Sequence, residues 1–341
     1  MHLKIYCDRW DDFTKEILYK IHECGYRMEI IIFYGNKPEN DNFLSFYSQR
    51  LTGNFIQLFI CHPSRLGKNF SASKNIALIP PSCCDFLEKD IESLKLMDYI
   101  FVSQNYLKNK LMNNGIEDGK IISKLYICDK KNIEKSETKK FTFLFHAPWN
   151  ETSGWQELLF SYCKNIYKKT DLIISVNEDL DKVNSEIDNF FNINEFDRKK
   201  YLGLYIINGK NFVEAARLSD CFVLPYRFNY YDQNLILAMH AGIPVIINNV
   251  EYYDFCKKNS CWIPNSLSNG QVDIFSLEEI MFKIISDKKE VKRKSEYARK
   301  FINNIYVQEN FAKSMEDIFD KFDIDKIPNV SLKISKYGNI L

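Results

Sequence analysis

The chain has 341 residues, about twice a common single-domain length, so two domains are expected. Its 46 lysines and arginines balance 45 aspartates and glutamates to a net charge of +1, which argues against a general polyanion or nucleic-acid binder. With 45% hydrophobic and 27% charged residues it is globular material, and its longest apolar runs, such as Ile30 to Tyr34, fall far short of the roughly 18 residues of a membrane span.

The opening MHLKIYCDRW has no apolar signal-peptide core and reads at once as a first strand, so a cytoplasmic protein is expected. Strand Leu3–Cys7 leads to a helical period over Asp11–Cys24. Strands follow at Met28–Tyr34, Phe55–Cys61 and Ile76–Ile79, then a helix over Asp85–Leu96, strand Tyr99–Ser103 and helix Asn105–Asn114. Short continuous apolar strands alternating with helices predict a parallel sheet covered on both faces. The charge-dense stretch DKKNIEKSETKK at 129–140 has no apolar period and reads as an interdomain linker.

The alternation then restarts. Strand Phe141–Phe145 and helix Gly154–Tyr167 are followed by strands Leu172–Val176 and Leu204–Ile207, with no helix expected between those two. Helix Asn211–Leu218, strand Cys221–Leu224, a helix from about Gln233 to Ala241 and strand Ile243–Ile247 come next. Helices at Leu277–Ser286, Lys292–Ile305 and around Glu309–Phe322 close the pattern. The fold class expected is α/β, two tandem Rossmann-like, doubly wound domains with a cleft between them. Residues 1–128 form the first, 129–140 the linker and 141–308 the second, while 309–341 form a helix and tail packing back toward the first domain. Ligands on such sheets bind beyond the strand carboxyl ends.

Several chemistries are excluded. The turn after Leu3–Cys7 carries no glycine, and neither GxGxxG nor a P-loop occurs, so a standard dinucleotide site is not expected. HExxH and the serine-hydrolase elbow are absent too. Ten cysteines with no CxxC pair imply reduced structural thiols, and no metal site is expected.

The informative stretch runs from Ser219 to Ile247: strand, loop, helix, glycine stop, strand. Gly242 ends the helix and Pro244 blocks its continuation. The loop 228–232 lies at a strand carboxyl end and a helix amino terminus, where unpaired N–H groups suit a phosphate. Asp220, Pro225, Ala238, Met239, Gly242 and Pro244-Val245-Ile246 resemble, in register, the signature of GT-B glycosyltransferases, specifically retaining family 4. Phe141–Tyr162 resembles the opening of that family's C-terminal domain. Asp98–Lys108, with Gly115-Ile116 and Lys120-Ile121, is similar to the end of its N-terminal domain.

The resemblance implies a glycosyltransferase that moves a sugar from a nucleotide-sugar donor to a glycan, lipid or protein acceptor, with no permanently bound cofactor. With the residues that stand at the matching positions, it points donor binding to Ser153, Gly154, Gly209, Lys210, Arg227, Tyr230, Tyr231 and Gln233, and catalysis to Asn229; His62, in the loop after an N-terminal strand, reads either as a catalytic residue acting on an acceptor hydroxyl or as a structural histidine. The departures are charged ones. The family's two glutamates fall on Asn229 and Leu237, and its phosphate-binding arginine and lysine fall on Pro148 and Ser153. Arg227 and Lys210 are the cations placed to compensate, each charge-assisted bond being worth roughly 1.5–3 kcal/mol. A second reading therefore stays open, a non-catalytic relative serving as partner or scaffold to another glycosyltransferase.

His146, Trp149 and Trp155 read either as cleft-wall chemistry or as packing, and His240 reads as a surface residue. The run KKEVKRK at 288–294 reads as a solvated helix face, a composition that also suits peripheral contact with anionic lipid.

Overall fold

The computed structural model describes residues 1–8, 12–33, 42–47, 49–80, 83, 86–103, 105–123, 133–134, 136, 140–209, 211–227, 233–249, 260–305, 316–322 and 324–326. The chain divides into two compact units, Met1–Ile127 with Tyr306–Leu341, and Cys128–Ile305. Most of the stretch read as a linker lies outside the described residues.

In the first unit six strands form one parallel sheet in the order β2-β1-β3-β4-β5-β6. They are β1 His2–Cys7, β2 Met28–Ile32, β3 Phe55–Ile60, β4 Lys74–Leu78, β5 Tyr99–Val102 and β6 Ile121–Ser123. Helices α1 Asp12–Glu23, α2 Asn42–Tyr47, α3 Glu88–Lys95 and α4 Asn105–Asn113 connect them. Strand interiors such as Leu3, Ile5, Ile56, Leu58, Ile76 and Ile100 are fully buried, because helices on both sides leave no polar face to the sheet. The end of the chain belongs to this unit. Ile318, Phe319 and Ile324 join its core, Phe319 meets Tyr26 edge-on at 5.4 Å, and the Asp325 N–H donates to Met1 O at 2.7 Å.

In the second unit five strands form a parallel sheet in the order β11-β10-β7-β8-β9. They are β7 Phe141–His146, β8 Thr170–Val176, β9 Leu204–Asn208, β10 Cys221–Leu224 and β11 Val245–Ile247. Between them run α5 Trp155–Lys164, α6 Leu180–Ile193, α7 Phe212–Arg217 and α8 Gln233–Ala241. Helices α9 Ile274–Ser286 and α10 Lys288–Ile305 follow.

Helix α6, absent from the sequence reading, is capped by Asp179 and buries Val183, Ile187, Phe190 and Phe191. The steps β7 to β8 and β8 to β9 move the same way across the sheet. Right-handed crossovers therefore place α5 and α6 on one face, and the return from β9 to β10 places α7 and α8 on the other.

Helix α8 packs against α10 and buries Leu235, Ile236, Leu237, Ala238 and Met239 in succession, so it is apolar on every side that has a neighbour. Along α10, Lys288, Lys289, Lys292 and Arg293 are exposed. Lys294 departs from the expected solvated face: its Nζ lies 4.9 Å from the Trp262 ring and donates to Cys261 O at 2.6 Å. Among the described residues no helix is long and apolar enough to cross a membrane.

Candidate functional site

Each sheet reverses its strand order once, between β1 and β3 in the first unit and between β7 and β10 in the second. Beyond the carboxyl ends of such strands the loops diverge and leave a crevice. Of the described residues singled out from the sequence, His62, Ser153, Gly154, Arg227 and Gln233 lie at these two points.

In the first unit Asp8 follows β1 and His62 follows β3. Asp8 Oδ2 accepts from the His62 N–H at 2.7 Å, and Arg65 Nη1 stands 3.3 Å from Asp8 Oδ1. His62 caps the short helical turn Pro63–Arg65, with Nδ1 accepting from the Ser64 N–H at 3.2 Å. A backbone N–H can only donate, so Nδ1 is the unprotonated nitrogen and a neutral ring carries its proton on Nε2. His62 therefore presents a donor, not a base.

In the second unit the β7 and β10 loops are locked backbone to backbone. Gly154 has φ +77°, and a Cβ there would lie 2.3 Å from Pro225 O. The Arg227 N–H donates to Thr152 O at 2.9 Å. Ser153 is fully buried and its hydroxyl donates to Asn150 O at 2.8 Å. Ser153 and Gly154 thus shape the loop from inside and offer a ligand no side-chain surface.

Gly209 plays the matching part after β9. Its N–H donates to Val176 O at 2.6 Å, and a Cβ would meet the Val176 backbone at 2.9 Å. Gln233 opens α8 and is half-buried. Lys210, Asn229, Tyr230 and Tyr231 lie outside the described residues.

Arg227 has an unforeseen partner. Its Nη2 donates to Glu157 Oε1 at 2.5 Å, and the same oxygen accepts from Gln271 Nε2. Glu157 is only 2% exposed. Pairing offsets the cost of burying either partner alone. The guanidinium expected to face a diphosphate is held by a carboxylate across 70 residues of sequence.

Other anchors hold the same edge. Asp220, part of the quoted signature, ties β10 to β7: its Oδ2 accepts from the Thr142 N–H at 2.8 Å, and its own N–H donates to Thr142 O at 2.7 Å. Asn248, fully buried beyond β11, donates from Nδ2 to Tyr226 O at 2.7 Å and Gly270 O at 2.8 Å. Sequence reasoning missed Glu157, Gln271 and Asn248. A carboxylate in the buried arc of α5 was the one signal available.

The other residues singled out from the sequence pack within the second unit. His146 is buried with Nδ1 3.0 Å from Ser175 Oγ, and desolvation lowers its pKa to about 4. Trp149 and Trp155 stack on each other, centroids 4.3 Å apart. Among the described residues no group of three or more His, Cys, Asp or Glu is placed to hold a metal ion.

No known family's sequence profile matches the chain, and no curated protein matches it. Solved structures do. HepE of Anabaena in complex with UDP superimposes with a TM-score of 0.71 at 8% identity, covering 94% of this chain and all of that one. Sucrose-phosphate synthase of Thermosynechococcus elongatus gives 0.69 at 9% identity, over 94% of this chain and 99% of that one. The lipopolysaccharide outer core galactosyltransferase WaaB gives 0.64 at 15% identity, over 94% and 100%. Two parallel Rossmann-like sheets in tandem, each reversing its order once, together with these superpositions, establish that the chain has the GT-B fold.

Proposed function

We propose that the protein is a glycosyltransferase that uses a nucleotide sugar and transfers with retention to a glycan, lipid or protein acceptor. One observation carries the reading: Gly154 lets the loops after β7 and β10 meet backbone to backbone at the switch point, in a chain that superimposes over 94% of its length on HepE, solved with UDP and with UDP-glucose.

The first task at such a site is positioning, and the second is stabilising the departing diphosphate. With Arg227 engaged by Glu157, we assign the diphosphate to main-chain N–H groups at the start of α8, beside Gln233, and to Lys210, Asn229, Tyr230 and Tyr231, which lie outside the described residues. Main-chain donors need no particular side chain, which fits the loss of the family's charged residues at Pro148, Ser153, Asn229 and Leu237. His62, with its proton on Nε2, serves as a hydrogen-bond donor to the sugar or acceptor.

Calorimetric titration with uridine and guanosine diphosphates and their sugar conjugates tests this. Saturable binding, with slow hydrolysis of the bound sugar nucleotide to a sugar of unchanged anomeric configuration, supports the reading. Silence across the panel at millimolar ligand overturns it and leaves a fold without a donor.

A further inference from the structure

A groove of about 740 Å³ opens between α5 and α6, on one face of the second sheet and beside the β7 loop, whose Trp149, Asn150 and Glu151 help to line it. Its size lies within the roughly 300–1,000 Å³ of small-ligand sites. One part of its wall is apolar, supplied by the paired indoles Trp149 and Trp155 with Phe190 beside them. Its polar part is planar, and amides and carboxylates are groups that engage neighbouring hydroxyls in pairs.

Two of the three carboxylates lining the groove are already paired, and the third, Glu151, is exposed to solvent. Glu186 accepts from Trp149 Nε1 at 2.7 Å, and Lys182 Nζ stands 3.9 Å from its other oxygen. Glu157 is paired with Arg227. A phosphate would meet three carboxylates with Lys182 already engaged, and at Glu157 and Glu186 a cation would compete with Arg227 and Lys182. Yet Glu157, almost wholly buried, keeps Oε2 without a hydrogen-bond partner, an unfilled acceptor beside the Gln271 amide. Such an atom calls for a neutral donor, a hydroxyl, since leaving it empty costs about 1–3 kcal/mol. On the rim, Gln156 of α5 and Asn189 of α6 are exposed.

We infer that this groove is a binding site for a neutral oligosaccharide, held through hydroxyls by Glu157, Gln271, Gln156 and Asn189 with its apolar face against the aromatic wall. The site stands whether or not the donor loops turn over a nucleotide sugar.

The test is titration of the full chain with maltotriose, cellotriose and chitotriose, without nucleotide, followed by tryptophan fluorescence and saturation-transfer NMR. At least one trisaccharide should give a saturable shift at millimolar concentration. The Gln156→Ala/Asn189→Ala double variant, which alters only exposed side chains, should weaken it about tenfold. That variant should keep the wild-type melting profile and nucleotide titration. No response to any trisaccharide overturns the inference, as does a response the double variant leaves unchanged. A shift produced by a lysine-rich peptide or by inorganic phosphate in place of the sugars overturns it too.

Discussion

Replacing Gly154 by alanine separates two costs that usually arrive together. An L-residue at φ +77° is strained by roughly 1–2 kcal/mol, whatever surrounds it. The new methyl would also stand 2.3 Å from Pro225 O and 2.9 Å from Pro225 C, backbone atoms that cannot swing away. Relief requires moving the β10 loop, at about 1–3 kcal/mol more. Gly242 supplies the control. Its φ is +76°, but the nearest atom to its added Cβ is Arg299 Cδ at 3.9 Å, so it carries the conformational cost alone. Both glycines lie in the same compact unit, and urea unfolding followed by tryptophan fluorescence reads the same transition for both. Gly154→Ala should destabilise by about 2–5 kcal/mol and Gly242→Ala by about 1–2 kcal/mol. Equal losses would refute the argument that the two loops are locked by direct backbone contact.

The Glu157–Arg227 pair should behave as a unit. Glu157→Leu or Arg227→Met alone should cost about 2–4 kcal/mol, discounted for the partial exposure of Arg227, while the double variant recovers most of that loss in a double-mutant cycle. Additive losses would show that the charges are solvated independently. His146 sets a pH dependence. Burial depresses its pKa from 6.5 to about 4, so its contribution is complete above 6.5 and is lost as pH falls through that window, about 3 kcal/mol in all. Chemical unfolding from pH 7 to pH 4 should show the wild type losing about 3 kcal/mol relative to His146→Asn; a constant difference would exclude the histidine as the cause.

Most strands were legible because an all-parallel sheet buries both strand faces, and runs such as Phe143–Phe145 and Cys221–Leu224 are then continuously apolar. Helix α6 was not, because its stripe of Val183, Ile187, Phe190 and Phe191 is set in a run of Asn, Asp, Glu and Lys that resembles a polar connection until Asp179 is seen as its cap. Strand β6 has three residues, too few for a period. The site divides in the same way. Gly154, Gly209 and Arg227 were singled out, and the structure places their loops on one sheet edge. What Arg227 does there was hidden, because its partner lies on a different helix and ion pairing leaves no trace in local spacing. Ser153 was read as a phosphate contact for want of any signal that its hydroxyl turns inward.

The return of Ile318, Phe319 and Ile324 to the first sheet bears on how the polypeptide matures at the ribosome. The stretch Cys128–Ile305 contains all of its own strands and can assemble while translation continues. The portion made first also holds all of its strands but lacks part of its core: Tyr26 and the amino terminus wait for partners, Phe319 and Asp325, that emerge some three hundred codons later. Order of synthesis and order of completion are therefore reversed, and a chain stalled before Ile318 would expose the flank of its oldest sheet to chaperones.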